Sequence, residues 1–139
     1  MFTALDTNII SALWSAEPTK EAIENALFAA SKEGGLVVSA PVYAELLAYP
    51  KATQAFVDSF FATLNISVDF EFSRDIWLES GKAYANYAKR RRKVGSGQPK
   101  RVLPDFIIGA HALLKTDRLL TLDVGRYKTS FPKLELLTF

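Results

Sequence analysis

The stretch FTALDTNII, residues 2–10, shows the unit from which the fold is built. FTAL is short and apolar and stops at Asp6, so it predicts a buried strand, and Ile9 and Ile10 begin a helical apolar stripe directly afterwards. The order of a short apolar strand and then a helix recurs along the chain. Further strands are predicted at LVVS 36–39, ISVDF 66–70, LLTL 119–122 and LELLTF 134–139. Short apolar strands that alternate with helices predict an α/β fold with a parallel sheet flanked by helices.

Helices are predicted between the strands, at about residues 18–33, 41–49, 51–63, 73–93 and 105–115. Pro18 and Pro41 stand where a first helical residue is expected, and the pair Gly34-Gly35 ends the helix that Pro18 opens. The inner side of the 73–93 helix is predicted to carry Ile76, Trp77, Ser80, Ala83, Tyr84 and Tyr87. VGSGQP, residues 94–99, is polar and turn-forming, so it predicts a loop.

Composition limits the classes of protein and of site. The 139 residues are 49% hydrophobic, which predicts one domain over residues 1–139. The absence of Cys excludes disulfides and thiolate chemistry, and the single His excludes a multi-histidine metal site within one chain, so a metal would need oxygen ligands. The N-terminus does not have the pattern of a signal peptide, and no charge-free apolar run approaches about 20 residues, so a cytoplasmic protein is expected.

Basic residues are concentrated in one segment. No acid occurs between Glu79 and Asp105, and this interval holds a run of Lys and Arg that contrasts with an acidic remainder. Such a strip indicates an anionic partner such as nucleic acid, although basic residues in a last helical turn also complement the helix dipole. The residues expected to hold an RNA backbone are Arg90, Arg91, Arg92, Lys100 and Arg101.

Four acids stand near the ends of predicted strands or the starts of helices, where ligands bind in parallel sheets. Asp6 follows the first strand, Glu45 lies in the helix after LVVS, Asp105 begins a helix, and Asp123 follows LLTL. Each has a structural alternative as a helix cap, a turn former or a solvent-exposed acid. Together they would repel one another strongly unless a divalent cation neutralised them, and Mg²⁺ or Mn²⁺ prefers such oxygen ligands. This pattern is typical of metal sites for phosphoryl transfer.

Two further residues of the predicted 105–115 helix lie within two turns of Asp105. His111 is six positions beyond Asp105, so it should point elsewhere and belong to the core or an interface. Gly109, four positions beyond Asp105, either permits tight helix packing or lets a ligand approach the backbone.

The acidic segments also resemble a known family. LDTNII, VYAELL, PDFIIGAHAL and LLTLDVGRYKTSFPKLELL are similar to the four acidic motifs of PIN-domain nucleases, and most of all to the small toxins of VapBC toxin–antitoxin pairs. The resemblance covers nearly the whole chain. It implies a PIN-like α/β/α sandwich, ribonuclease activity that depends on Mg²⁺ or Mn²⁺, a homodimer, and inhibition by a small antitoxin.

The resemblance also assigns residues. Asp6, Glu45, Asp105 and Asp123 match the acidic positions, which implies that they are catalytic and bind the metal. Thr7 and Thr121 match hydroxyl positions beside those acids and would orient a ligand or a water. The expected reaction is hydrolysis of an RNA phosphodiester bond.

Two alternatives remain open from the sequence. A phosphohydrolase of the haloacid-dehalogenase type also has a nucleophilic Asp after its first strand, but its motif has a second Asp two positions later, where this chain has Asn8. In the other alternative, a non-catalytic RNA-binding domain, the acids would be helix caps and the basic strip would bind the RNA.

Overall fold

The protein is an α/β/α sandwich built on a parallel five-stranded sheet, as predicted. The computed structural model describes residues 1–94 and 100–139, with residue 94 described by its backbone alone. The strands are β1 (Thr3–Leu5), β2 (Leu36–Ser39), β3 (Ile66–Asp69), β4 (Arg118–Leu120) and β5 (Leu136–Leu137). The helices are α1 (Thr7–Trp14), α2 (Lys20–Glu33), α3 (Ala40–Leu46), α4 (Gln54–Leu64), α5 (Arg74–Val94), α6 (Leu103–Lys115) and α7 (Val124–Ser130).

The order of the strands creates a crevice at the carboxyl edge of the sheet. The order is β3-β2-β1-β4-β5, with every neighbouring pair parallel. From the central strand β1 the chain builds the sheet outward on one side through β2 and β3, and then on the other side through β4 and β5. The helices that follow β1 and β4 therefore diverge, and the space between the ends of these two strands is where ligands bind in such sheets.

The core lies between the sheet and its helices. All three residues of β1 and all three of β4 are buried, as expected for strands covered on both faces. In α6 every residue from 106 to 112 is buried, which explains why this segment is so apolar. No helix in residues 1–94 or 100–139 is both long and apolar enough to cross a membrane.

Helix α7 was not predicted from the sequence. We expected only a turn after the strand that ends near Leu122, but residues 124–130 form a helix, and β4 already ends at Leu120. The helix has only seven residues and buries just Tyr127, so it has no repeated apolar stripe that could indicate it. The loop predicted over residues 94–99 lies almost entirely outside the described residues.

The buried face of α5 is narrower than predicted. Ile76, Ser80 and Ala83 are buried, but Trp77 is 51% exposed and Tyr84 is 40% exposed, so their assignment to the inner side was wrong. The buried residues follow a spacing of four and then three, which keeps them on one line along the helix. Trp77 and Tyr84 each follow a buried position by one residue, which rotates them about 100° away from it.

Gly109 provides a test of the packing between α6 and the segment after α7. A methyl group at Gly109 would overlap the ring of Phe131, which is buried. Gly109→Ala should therefore lower the free energy of unfolding by about 1–3 kcal/mol, as overpacking does. Urea unfolding measures this change.

Gly81 is the matched control, because it lies in α5 with open space around it. Gly81→Ala should be neutral or should stabilise the protein by up to about 1 kcal/mol. Adding Phe131→Leu to Gly109→Ala should recover part of the loss. An unchanged midpoint for Gly109→Ala would contradict the packing described here.

Candidate active site

Asp6 lies at the carboxyl end of the central strand and is only 2% exposed. One carboxylate oxygen accepts a hydrogen bond from the backbone N–H of Thr7 at 2.8 Å, which caps α1. The other accepts one from the Thr121 hydroxyl, also at 2.8 Å. Burial raises the pKa of Asp6, and these hydrogen bonds oppose the rise. Asp6 is thus a fixed but poorly solvated acid.

Glu45 reaches the same region from α3, which directly follows β2. Its Oε1 accepts a hydrogen bond from the Thr7 hydroxyl at 2.6 Å. Partial burial raises the pKa of Glu45, and the negative charges of Asp6 and Asp105 raise it further. The three carboxylates therefore lie close enough to act on one another electrostatically.

The two carboxylate oxygens of Asp105 accept hydrogen bonds from different partners. Helix α6 begins at Leu103, so Asp105 is its third residue. The prediction that Asp105 is the first residue of this helix was wrong. Oδ2 accepts from the backbone N–H of Val102 at 3.3 Å, which satisfies a group at the helix start. Oδ1 instead accepts from the Arg126 guanidinium at 3.0 Å. The capping role and a role at the site are therefore compatible.

Asp123 and Arg126 form a second link, between β4 and α7. Oδ1 of Asp123 accepts from the backbone N–H of Arg126 at 3.2 Å and caps α7. Oδ2 pairs with the Arg126 guanidinium at 3.0 Å. Burial opposes the charge of Arg126, but the carboxylates around it raise its pKa above the usual value. Arg126 therefore stays protonated at the acidic site.

The Thr121 hydroxyl and the Asn8 amide tie the ends of β1 and β4 together. Besides donating to Asp6, the Thr121 hydroxyl accepts from the backbone N–H of Asp123 at 3.0 Å and from the Asn8 amide at 3.4 Å. The side-chain carbonyl oxygen of Asn8 accepts a hydrogen bond from the backbone N–H of Leu122 at 3.1 Å. The predicted hydroxyl residues Thr7 and Thr121 thus each contact a predicted acid.

Tyr127 is a buried residue at the site that sequence reasoning missed. Only 1% of it is exposed, and its hydroxyl has no hydrogen-bond partner of good geometry among the described residues. Burial and the nearby charge of Asp6 raise the pKa of this hydroxyl well above 10.0. Sequence reasoning also missed the contacts of Asn8 and Arg126. Recognising Asp123 as the cap of a helix would have placed Arg126 and Tyr127 one turn beyond it.

The donor set fits a hard divalent cation, although the carboxylates are engaged elsewhere. Asp6, Glu45, Asp105 and Asp123 offer only oxygen ligands, which Mg²⁺ and Mn²⁺ prefer. As they stand, no three Asp, Glu or His side chains in the described part of the chain converge on one ion position. The Thr7 hydroxyl donates a hydrogen bond to Glu45, and the Arg126 guanidinium pairs with both Asp105 and Asp123.

Four of the five predicted RNA-binding residues surround one hollow. It has a volume of about 470 Å³ and is lined by Tyr84, Tyr87, Ala88, Arg91, Arg92, Lys100 and Arg101. The Tyr87 hydroxyl accepts from the backbone N–H of Arg101 at 2.6 Å and from the Arg91 guanidinium at 3.2 Å. Arg90 is not among the described residues that line this hollow. We call this feature the basic hollow.

His111 and Gly109 have structural roles. His111 is 1% exposed, and its Nε2 lies 3.0 Å from a carboxylate oxygen of Asp69, so the prediction of a core histidine is confirmed. Burial lowers the pKa of His111, and the hydrogen bond to Asp69 opposes this. Gly109 permits close packing with Phe131, which was one of its two predicted roles.

The fold is an α/β/α sandwich whose acids lie near the carboxyl edge of a parallel sheet. The family model for the PIN domain matches residues 3–132. The chain therefore belongs to the PIN domain family. Comparison with curated protein sequences found no match. The family assignment does not support the haloacid-dehalogenase alternative.

Solved structures of toxin–antitoxin complexes are similar over the whole chain. VapBC2 from Rickettsia felis, bound to a DNA fragment from its promoter, has a TM-score of 0.74 and 23% identity, covering 100% of this chain and 99% of that chain. VapBC-1 from nontypeable Haemophilus influenzae has a TM-score of 0.67 and 27% identity, with coverages of 99% and 97%. DNA-bound VapBC from Salmonella typhimurium has a TM-score of 0.67 and 17% identity, with coverages of 99% and 97%.

The raised pKa of Asp6 predicts a pH-dependent difference between the wild type and Asp6→Asn. Above the ordinary value of 3.8, the folded protein holds more protons at Asp6 than the unfolded chain, so this residue lowers stability as the pH rises. Without metal, the stability of Asp6→Asn relative to the wild type should therefore increase as the pH rises from about 4 toward neutral.

Urea unfolding in the presence of a chelator, at a series of pH values, measures this difference. Glu71→Gln is the control, because Glu71 is an exposed acid outside the site. It controls for the loss of one negative charge. If the difference in stability between Asp6→Asn and the wild type stayed constant across this pH range, the raised pKa of the buried Asp6 carboxylate would be contradicted.

Proposed function

We propose that this protein is a metal-dependent endoribonuclease and the toxin of a toxin–antitoxin pair. The observation that carries the proposal is the network of contacts that links Asp6, Glu45, Asp105 and Asp123 to one another at the carboxyl edge of the sheet. The direct contacts are from Thr7 to Glu45, from Thr121 to Asp6, and from Arg126 to Asp105 and Asp123. Residues far apart in sequence thus supply one acidic centre in a fold of the PIN domain family.

Asp6, Glu45 and Asp105 are the residues proposed to hold Mg²⁺ or Mn²⁺, with Asp123 completing the site directly or through a water. When bound, a divalent ion would activate water for attack on phosphorus and stabilise the departing oxygen. The hydroxyls of Thr7 and Thr121 hold the Glu45 and Asp6 carboxylates in fixed orientations. In the reaction, water adds to the phosphorus of the RNA backbone and the bond to one ribose oxygen breaks.

The basic hollow is the proposed binding site for the RNA backbone. It lies beside the start of α6, because Arg101 directly precedes Val102, whose backbone N–H contacts Asp105. Positive charge near an acidic centre offsets the repulsion between that centre and a polyanionic substrate. Contacts to phosphate position the strand without reading its sequence. Arg90 is proposed to add to the local positive charge.

The biological assignment rests on the structural neighbours, which are VapBC complexes. We infer that this chain has a small antitoxin partner, forms a homodimer, acts in the cytoplasm and consists of one domain over residues 1–139. Two of the neighbouring complexes contain DNA. DNA should therefore be included beside RNA when the binding of nucleic acids is compared.

Loss of one central acid should abolish both metal binding and cleavage. Asp6→Asn removes a carboxylate charge while keeping the shape of the side chain. It should reduce RNA cleavage by about 10²-fold or more, because metal-assisted catalysis supplies several kcal/mol. Cleavage is measured with Mg²⁺ or Mn²⁺ and with a chelator, and Mn²⁺ affinity is measured by calorimetry.

Glu24→Gln is the control, because Glu24 is an exposed acid on α2. It should retain wild-type cleavage and metal affinity. If Asp6→Asn bound Mn²⁺ as well as the wild type, the acids would be helix caps and the protein a non-catalytic RNA-binding domain. Cleavage that persists in chelator would also contradict the proposal.

The basic hollow should make RNA binding dependent on salt. In an Asp6→Asn background without metal, Arg92→Gln should weaken RNA binding and reduce the slope of log affinity against log salt by about 0.7, the value for one phosphate contact on a single strand. Fluorescence anisotropy over a salt series measures the slope. Lys133→Gln, which changes an exposed Lys elsewhere, should leave it unchanged, and equal slopes for both variants would remove the hollow from the binding site.

A further inference from the structure

Arg126 occupies the position between the acids where a cation is expected. Its guanidinium contacts Asp105 and Asp123, each at 3.0 Å, through different terminal nitrogens. Its charge also acts on Asp6 and Glu45. One side chain thus interacts electrostatically with all four acids of the site.

Without these contacts, the position of Arg126 would be energetically unfavourable for a positively charged side chain. Arg126 lies in the first turn of α7, where the helix dipole disfavours a cation. Its side chain is only 26% exposed, and its buried Nε has no hydrogen-bond partner among the described residues. A long, charged side chain would normally extend into water from such a place. The attraction of the carboxylates is the interaction that holds it inside.

We propose that Arg126 is an internal counter-ion, which neutralises the acidic site of the metal-free protein and is displaced when a divalent cation binds. This inference rests on the proposed metal-dependent function. It explains why the carboxylates do not converge on one ion position: Asp105 and Asp123 are turned toward the guanidinium. Arg126 therefore stabilises the metal-free fold and weakens metal binding at the same time.

A purely structural role for Arg126 predicts the opposite effect on metal binding. If Arg126 only held Asp105 and Asp123 in the geometry that the ion requires, its removal would leave these acids disordered and would weaken metal binding. If Arg126 competes with the ion, its removal strengthens metal binding. The sign of the change in metal affinity therefore separates the two roles, and it does not depend on catalytic activity.

The test uses Arg126→Gln, with Lys128→Gln as the matched control for the loss of one positive charge. Lys128 is exposed on the same helix. Calorimetric titration with Mn²⁺ should show that Arg126→Gln binds the ion roughly tenfold more tightly than the wild type, a factor that corresponds to about 1.4 kcal/mol. Lys128→Gln should bind as the wild type does.

Thermal unfolding provides a second measurement on the same variants. In chelator, Arg126→Gln should unfold at a lower temperature than the wild type, because four carboxylates then repel one another without a counter-charge. In saturating Mn²⁺ this deficit should disappear. Arg126→Lys keeps the charge but lacks the planar guanidinium whose two terminal nitrogens reach Asp105 and Asp123, so its metal affinity should lie between those of the wild type and Arg126→Gln.

The outcomes separate this inference from the proposed function. Weaker or unchanged Mn²⁺ binding by a folded Arg126→Gln, while the wild type binds the ion, would overturn the counter-ion role and leave the proposed function intact. The counter-ion role would also be overturned if Arg126→Gln were no less stable than the wild type in chelator. If neither protein bound Mn²⁺, the proposed metal-dependent function would fail as well.

Discussion

The burial of the Asp6 carboxylate is the constraint on which the rest of the site depends. A nearly inaccessible negative charge at the end of the central strand is costly unless hydrogen bonds and a nearby positive charge compensate for it. The Thr7 backbone and the Thr121 hydroxyl supply the hydrogen bonds, and Arg126 contributes the positive charge. These groups come from both ends of the chain, so the requirements of one carboxylate connect β1, β4 and α7.

The sequence predicted the layers of the fold and the position of Asp6 at the end of a strand, because both depend on local patterns. Apolar strands followed by helices indicated the parallel sheet, and Asp6 was identified as an acid that directly follows such a strand. The contacts of Arg126 could not be predicted in this way. They depend on how α6 and α7 meet, and α7 itself is too short and too polar to show a helical pattern. Because one oxygen of Asp105 pairs with Arg126 of α7, the separate partners of its two oxygens could not be predicted either.

Opposite charges are separated along a short stretch of chain at the start of α6. Arg101 lines the basic hollow, and Asp105 belongs to the acidic crevice four residues later. The first turn of α6 therefore connects the surface proposed to bind phosphate with the centre proposed to cleave it. Because α6 is buried along most of its length, this turn has a rigid support, and the spacing between the two regions is fixed by the fold.

The pairing of β1 with β4 affects when the site can form during synthesis. The hydrogen bond from Thr121 to Asp6 joins residues that are 115 positions apart, and the register pairs Thr3 with Arg118. A nascent chain lacks β4 until Arg118–Leu120 have been translated. Contacts of such long range also slow folding, because the chain between them must be ordered before they can form. A chain that stops before these residues therefore cannot assemble the acidic centre, so it cannot cleave RNA in the proposed way.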